Sequence, residues 1–240
     1  DAKRLKLIDP QKGLPYLYES IGLTRSLLDA DIPLIGFGGA PFTMASYLIE
    51  GGHSSHFAAT KSMMYGQPKT WKLLMNKIVD VMAACLQAQV RAGVQALQIF
   101  DSWIGSLSME DYREFILPHS KRLLSEISGK GAPVIHFGTG NPELYPLMKQ
   151  AGGDVLGVDW RIPIAHAGRI AGPKIGLQGN LDPLTLLGPK NFIKRRALDI
   201  LGHVGSRPGF IFNLGHGILP QTPIDNVRFL VKTVHQFLPR

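Results

Sequence analysis

The chain has 240 residues, of which 45% are hydrophobic and 18% are charged, and its formal net charge is +8. These proportions are typical of a globular protein with a sizeable core, built as one or two domains or as a single α/β barrel. The single cysteine, Cys85, excludes a disulfide framework and any zinc site with two thiolates.

The charge and the apolar pattern limit the partners and the compartment. Basic residues are scattered, and the longest basic run is Lys194-Arg195-Arg196, so we expect no nucleic-acid partner, and the charge leaves an anionic surface or a polyanionic small molecule open. No run approaches the roughly 18 uninterrupted apolar residues of a membrane span. The opening DAKRLKL lacks the apolar core of a secretory signal. We therefore expect a cytoplasmic protein with no membrane association.

Short runs rich in Val, Ile and Leu alternate with longer stretches of helical spacing. The short runs predict strands at 33–37, 95–100, 132–137, 154–158, 174–177 and 209–212. The longer stretches predict helices at 70–91, 111–128, 142–151, 191–201 and 225–237, with Asp225 as the N-cap of the last. This alternation predicts one domain, 1–240, with a parallel sheet and helices outside it.

Two architectures use such an alternation, the doubly wound open sheet and the (β/α)8 barrel. The chain has no Gly-x-Gly-x-x-Gly turn after its first predicted strand, so a dinucleotide-binding fold loses its best support. Six strand–helix units are predicted, whereas a closed barrel needs eight.

Polar residues and glycines collect where each predicted strand ends. The ends read GGAP (38–41), DSW (101–103), HFG (136–138), DWR (159–161), QGNLD (178–182) and NLGHG (213–217). In parallel α/β folds the carboxyl ends of the strands hold the functional site. We therefore predict the site there, with the small residues from Gly38 to Pro41 clearing a floor for a ligand.

These strand ends resemble those of uroporphyrinogen decarboxylases. The matching motifs, in chain order, are IGFGGAPFTMASYLIEGG (35–52), LQIFDS (97–102), GVDW (157–160), GLQGNLDP (176–183) and FNLGHG (212–217). The resemblance implies a (β/α)8 TIM barrel, of which this chain carries strands three to eight, and a homodimer. It also implies a carboxy-lyase without metal or cofactor, which removes CO2 from the four acetate side chains of uroporphyrinogen III to give coproporphyrinogen III in haem biosynthesis.

The resemblance assigns substrate binding to three residues. Tyr47 corresponds to the family tyrosine that hydrogen-bonds a substrate carboxylate, and Ser102 to the Ser or Thr at the end of strand four. His216 corresponds to the histidine that lies against a substrate carboxylate, and its flanking glycines favour a site role. Without the resemblance, the sequence favours a packed tyrosine at Tyr47 and a structural histidine at His216, and it leaves Ser102 open between a cap and a site residue.

The principal catalytic group is not named in this sequence. The resemblance implies that the family's Arg-Gln-Ala-Gly-Arg segment, and the aspartate that holds the pyrrole NH groups, lie outside these 240 residues. Asp101, Asp159 and Asp182 end strands, but none of them corresponds to that aspartate. Six strands also leave open sheet edges, so we expect this chain alone to be inactive or poorly soluble.

Two other functions stay open. A corrinoid-linked methyltransferase shares this fold, but such enzymes bind zinc through His and Cys near the fifth strand, where this chain has His136 and no second cysteine. We interpret His136 as a packing residue. The other alternative is an inactive fragment that binds a tetrapyrrole. Arg161 and Arg169 could meet carboxylates, and we interpret Arg169 as a surface residue.

Overall fold

One parallel sheet of six strands runs in chain order through the computed structural model, which describes residues 2–52 and 54–238. The strands are Ile35–Gly39 (β1), Ala96–Asp101 (β2), Val134–Gly138 (β3), Val155–Gly157 (β4), Gly176–Leu181 (β5) and Phe210–Leu214 (β6). Each strand pairs in parallel with the next. The order contains no reversal, whereas a doubly wound sheet has a switch point. The strand order is therefore that of consecutive strands in a (β/α)8 barrel.

All six predicted strands are confirmed, and the fifth differs most in extent. Its predicted end is residue 177, but β5 continues to Leu181. The sequence Gln178-Gly179-Asn180 is polar and contains glycine, a pattern that predicts a turn. In the fold Gln178 and Asn180 are buried, and Asn180 Nδ2 donates hydrogen bonds to the carbonyl oxygens of Asp159 and Ile162.

Helices cover the outer face of the sheet. The α-helices are Pro10–Gly13 (α1), Pro15–Leu27 (α2), Pro41–Glu50 (α3), Ala58–Gly66 (α4), Pro68–Ala92 (α5), Met109–Asp111 (α6), Leu117–Ile127 (α7), Tyr145–Ala151 (α8), Ile164–Ala171 (α9), Lys190–Val204 (α10) and Ile224–His235 (α11). A π-helix, Tyr112–Ile116, joins α6 to α7. All five predicted helices are confirmed. The predicted N-cap of α11 is wrong: Pro223 is the N-cap, and Asp225 lies in the first turn.

The longest helix, α5, contributes many of the buried side chains of the core. It begins with Pro68 and ends at Gly93, whose φ of 114° is left-handed and suits glycine. Its apolar stripe, which includes Leu74 and Ile78, is buried against β1 and the neighbouring helices. By length and composition α5 could cross a membrane, but half of its most apolar stretch is buried inside the fold. We therefore interpret α5 as a core helix.

Two glycines of β1, Gly36 and Gly38, make room for α5 and not for a ligand. A Cβ atom at Gly36 would lie 2.5 Å from Oε1 of Gln89, and one at Gly38 would lie 2.6 Å from Cε of Met82. These glycines let the helix approach the strand closely. The prediction that Gly38 clears a floor for a ligand is therefore wrong. Phe37, between the two glycines, lies on the other face of the strand and is 65% exposed.

Candidate active site

Two adjoining cavities lie where the strands end. One has a volume of about 700 Å³ and is lined by aromatic residues of the inner sheet face, Phe37, Phe100 and Phe137. The other has a volume of about 450 Å³ and lies among the loops that follow β2, β3 and β4. Ser102 and His216 line both cavities. The fold thus brings together two of the three residues predicted for substrate binding.

The third predicted residue, Tyr47, lies at the rim. It belongs to α3 and its side chain is half exposed. Its ring meets Trp103 edge to face, with 5.9 Å between ring centroids. Trp103 lines the smaller cavity, while Tyr47 is among the lining residues of neither cavity. Tyr47 therefore contacts a residue of the cavity wall without lining the cavity, and its role stays a prediction.

Local geometry fixes the ring of His216. The backbone N–H of Gly217 donates to Nδ1 at 2.7 Å, so Nε2 carries the proton in the neutral ring. The ring contacts Trp160 edge to face at 6.5 Å. A Cβ atom at Gly215 would lie 2.7 Å from the backbone nitrogen of Trp160, so glycine is needed where the β6 end meets the β4 end. The arrangement presents a hydrogen-bond donor, Nε2–H.

A buried carboxylate, Asp159, organises the end of β4. It accepts hydrogen bonds from Thr139 Oγ1 at 2.8 Å, from the N–H of Gly140 at 2.8 Å and from Tyr145 Oη at 3.1 Å. Arg161 adds an ion pair. Burial alone would raise the pKa of Asp159, but the hydrogen bonds from Gly140, Thr139 and Arg161 outweigh it and hold the pKa below its usual value. Asp159 is therefore ionised at neutral pH, and both of its carboxylate oxygens accept hydrogen bonds.

Arg161 forms an ion pair with Asp159 and lines the smaller cavity. Its side chain is 43% exposed, and its guanidinium carbon lies 4.2 Å from the centre of the Trp160 ring. Nη1 contacts Asp159 and also donates to Thr139 Oγ1 at 3.3 Å. The sequence offered only the strand-end triplet DWR as a signal, because the contact with Thr139 joins two separate loops.

The other two strand-end aspartates have different surroundings. Asp101 lies on the outer face of β2 and is wholly buried beside His136, with 3.7 Å between Oδ2 and Nε2. Burial raises the pKa of Asp101. Asp182 caps the short helix Pro183–Leu187 by accepting from the N–H of Leu184 at 2.9 Å. Neither Asp101 nor Asp182 lines the two cavities around Ser102.

Within residues 2–52 and 54–238 there is no group of three His, Cys, Asp or Glu side chains that could hold a metal ion. The groups that face the cavities are instead hydroxyl, imidazole and guanidinium donors above aromatic rings. Such a set can bind a ligand that has an apolar body and carboxylates at its edge.

Parallel strands that follow one another in chain order are typical of a TIM barrel. In TIM-barrel enzymes the active site lies at the carboxyl ends of the strands, where this chain carries its polar groups. The family model for uroporphyrinogen decarboxylase (URO-D) matches residues 1–237. The uroporphyrinogen decarboxylase of Sorangium cellulosum is 50% identical over 238 residues, which cover 99% of this chain and 68% of that protein. That of Carboxydothermus hydrogenoformans is 46% identical, with 98% and 67% covered. The chain belongs to the uroporphyrinogen decarboxylase family, and the predicted membership is confirmed.

Solved structures support the architecture. A methyltransferase from Methanosarcina mazei superposes with a TM-score of 0.81 at 23% identity, covering 98% of this chain and 69% of that one. A B12-independent methionine synthase from Shewanella sp. W3-18-1 gives a TM-score of 0.63 at 14% identity, covering 97% and 66%. At these identities the likeness shows the fold alone. The fold is the predicted (β/α)8 TIM barrel, of which residues 2–52 and 54–238 form six strands.

Proposed function

We propose that this chain functions as a uroporphyrinogen decarboxylase, a carboxy-lyase of haem biosynthesis. It would remove CO2 from the four acetate side chains of uroporphyrinogen III and give coproporphyrinogen III. The observation that carries the proposal is the convergence of Ser102 and His216 on one opening at the strand ends, in a chain of this family.

The larger cavity suits a flat macrocycle with a charged edge. Phe37, Phe100 and Phe137 form a row of edge-to-face contacts at 5.9 and 5.8 Å, which gives an apolar wall. Ser102 and His216 stand at the end of this wall, where they can donate hydrogen bonds to side-chain carboxylates. The net charge of +8 favours the approach of a polyanion.

The chemistry needs an electron sink and no bound redox group. When a pyrrole ring is protonated, it can accept the electron pair of the breaking bond between the acetate methylene and its carboxylate. CO2 then leaves, a proton added to the methylene carbon gives the methyl group, and loss of the proton that activated the ring restores the neutral pyrrole. A carboxylate near the ring stabilises the cation. We assign that role to the family aspartate outside these residues. The carboxylate oxygens of Asp159 already accept hydrogen bonds from neighbouring residues, and Asp101 is wholly buried away from the cavities.

We also propose a homodimer in the cytoplasm, with no nucleic-acid or membrane partner, as the family resemblance and the scattered basic residues suggest. The methyltransferase alternative rests on likeness of fold alone. We therefore favour the lyase.

The test is turnover by the full chain as its gene encodes it. Uroporphyrinogen III is incubated anaerobically, and the products are oxidised and separated by their number of carboxylates. We expect Ser102→Ala and His216→Ala to lower kcat/KM by about tenfold or more each, because each removes a hydrogen bond to a charged group. The matched controls are Ser125→Ala and His235→Ala, at exposed helix positions. Absence of product from the unaltered chain, or unchanged kcat/KM in both site variants, would overturn the proposal.

A further inference from the structure

We propose that Arg161 binds a carboxylate of the substrate, and that Asp159 and Trp160 position its guanidinium for this task. The inference rests on the proposed function, since it takes the tetrapyrrole as the ligand. Arg161 lines the same cavity as Ser102 and His216, on the side of β4.

The guanidinium keeps unused donors. Arginine has five N–H groups in a planar fork. Nη1 contacts Asp159 and Thr139, while Nε and Nη2 form no hydrogen bond with any of residues 2–52 or 54–238. The side chain is 43% exposed and lines the smaller cavity. Nε and Nη2 form an edge of the fork that can hold a carboxylate through two parallel hydrogen bonds.

The position of the fork is fixed before any ligand arrives. Asp159 is held by Thr139, Gly140 and Tyr145, so it is a rigid partner for Nη1. The indole of Trp160 lies 4.2 Å under the guanidinium and also meets the ring of His216. Arg161 and His216 therefore contact one aromatic residue and face one cavity. A preorganised fork loses less side-chain entropy when it binds.

The nearby anion decides which property of Arg161 matters. Asp159 offsets the positive charge, so the attraction for a carboxylate comes mainly from directed hydrogen bonds. A lysine would retain the charge but lose the fork and the stacking on Trp160. This distinguishes carboxylate binding from a purely structural role as the counter-ion of Asp159, which a lysine could partly fill.

The experiment compares Arg161→Gln, Arg161→Lys and the matched control Arg169→Gln in the full chain. Arg169 is an exposed arginine on α9, so the control makes the same change of charge. Each variant is measured for KM and kcat with uroporphyrinogen III, for its melting temperature, and for Kd with uroporphyrin by fluorescence quenching. Uroporphyrin is the oxidised macrocycle with the same carboxylates.

We expect Arg161→Gln to raise KM and Kd by about tenfold or more, the effect of losing hydrogen bonds between charged groups. Arg161→Lys should recover only a small part of this loss, and Arg169→Gln should stay within about twofold of the unaltered chain. A lower melting temperature with KM and Kd within about twofold would show a structural role and overturn the inference.

The two proposals fail in different ways. If the unaltered chain binds uroporphyrin in an Arg161-dependent way but releases no CO2, the proposed activity fails and the carboxylate-binding role stands. If the chain decarboxylates and Arg161→Gln changes neither KM nor Kd, the activity stands and the role of Arg161 fails. Absence of both binding and turnover overturns both.

Discussion

The buried side chain of His119 contributes to the pH dependence of folding stability. His119 of α7 is only 8% exposed. Burial, with the positive charges of Lys72 and Arg122, lowers its pKa from 6.5 to about 4. Between these values the unfolded chain binds a proton at His119 that the folded chain does not. Stability at this position is therefore complete above pH 6.5 and is lost as the pH falls toward 4.

We expect His119→Gln to reduce the acid sensitivity of folding, because glutamine stays neutral at every pH. The difference in unfolding free energy between pH 7 and pH 4 should shrink by up to about 3 kcal/mol relative to the unaltered chain. Urea titrations at the two pH values measure it. The control is His235→Gln, at an exposed position of α11, which should leave the difference unchanged. An equal pH dependence in His119→Gln and the unaltered chain would refute the assignment.

At the scale of elements, the loops after β2 and β3 meet through two glycines. A Cβ atom at Gly105 would lie 2.8 Å from Cα of Gly140 and 3.0 Å from the carbonyl oxygen of Thr139. Both contacts are backbone atoms, so no side chain can yield. Gly105 and Gly140 also line the smaller cavity beside Ser102. The spacing of these loops therefore sets both packing and the shape of the cavity.

Gly105→Ala should push the loops apart. We expect a loss of about 1–3 kcal/mol in unfolding free energy and weaker binding of uroporphyrin. The contrasting variant is Gly202→Ala in α10, where an added Cβ meets nothing within 4 Å. That variant should gain about 0.5–1 kcal/mol, because alanine suits a helix interior better than glycine. Chemical denaturation measures both, and equal effects of the two substitutions would contradict the packing argument.

The sequence predicted the elements whose pattern is local. Strands appeared as apolar runs bounded by Gly or Pro, and α5 appeared because its buried stripe repeats with the helical period. Helix α9 was missed because its eight residues, IAHAGRIA, are too few to show a period and include Gly168. The end of β5 was misplaced because burial of Gln178 and Asn180 depends on distant partners, which are Gln98 of β2 and the loop after β4.

The site was predictable only where a family motif carries it. Ser102 and His216 were named from motifs, and the fold places them at one opening. Arg161 has no comparable signal, because its setting depends on Asp159 and on Thr139 from another loop. Gly38 was misinterpreted for the same reason: the helix that fills the space beside it, α5, is distant in sequence.

At the scale of the whole molecule, the first strand is an edge that the chain covers only in part. The side-chain amide of Gln89 accepts from the N–H of Phe37 at 3.0 Å and donates to its carbonyl oxygen at 2.9 Å. This pairing satisfies one residue of the edge. The inner face beside it stays open, with Ile35 46% and Phe37 65% exposed. An edge strand with exposed apolar side chains tends to pair with another chain.

We expect the 240-residue chain, expressed by itself, to self-associate as its concentration rises. Phe37→Ser should weaken this association, because it removes the most exposed apolar side chain of β1 and leaves the amide pairing with Gln89 in place. Leu27→Ser, at a 77% exposed position at the end of α2, is the control for general surface hydrophobicity. Sedimentation velocity over a range of concentrations measures the distribution of species. A monomer at every concentration, or equal weakening by both substitutions, would show that the exposed face of β1 does not drive association.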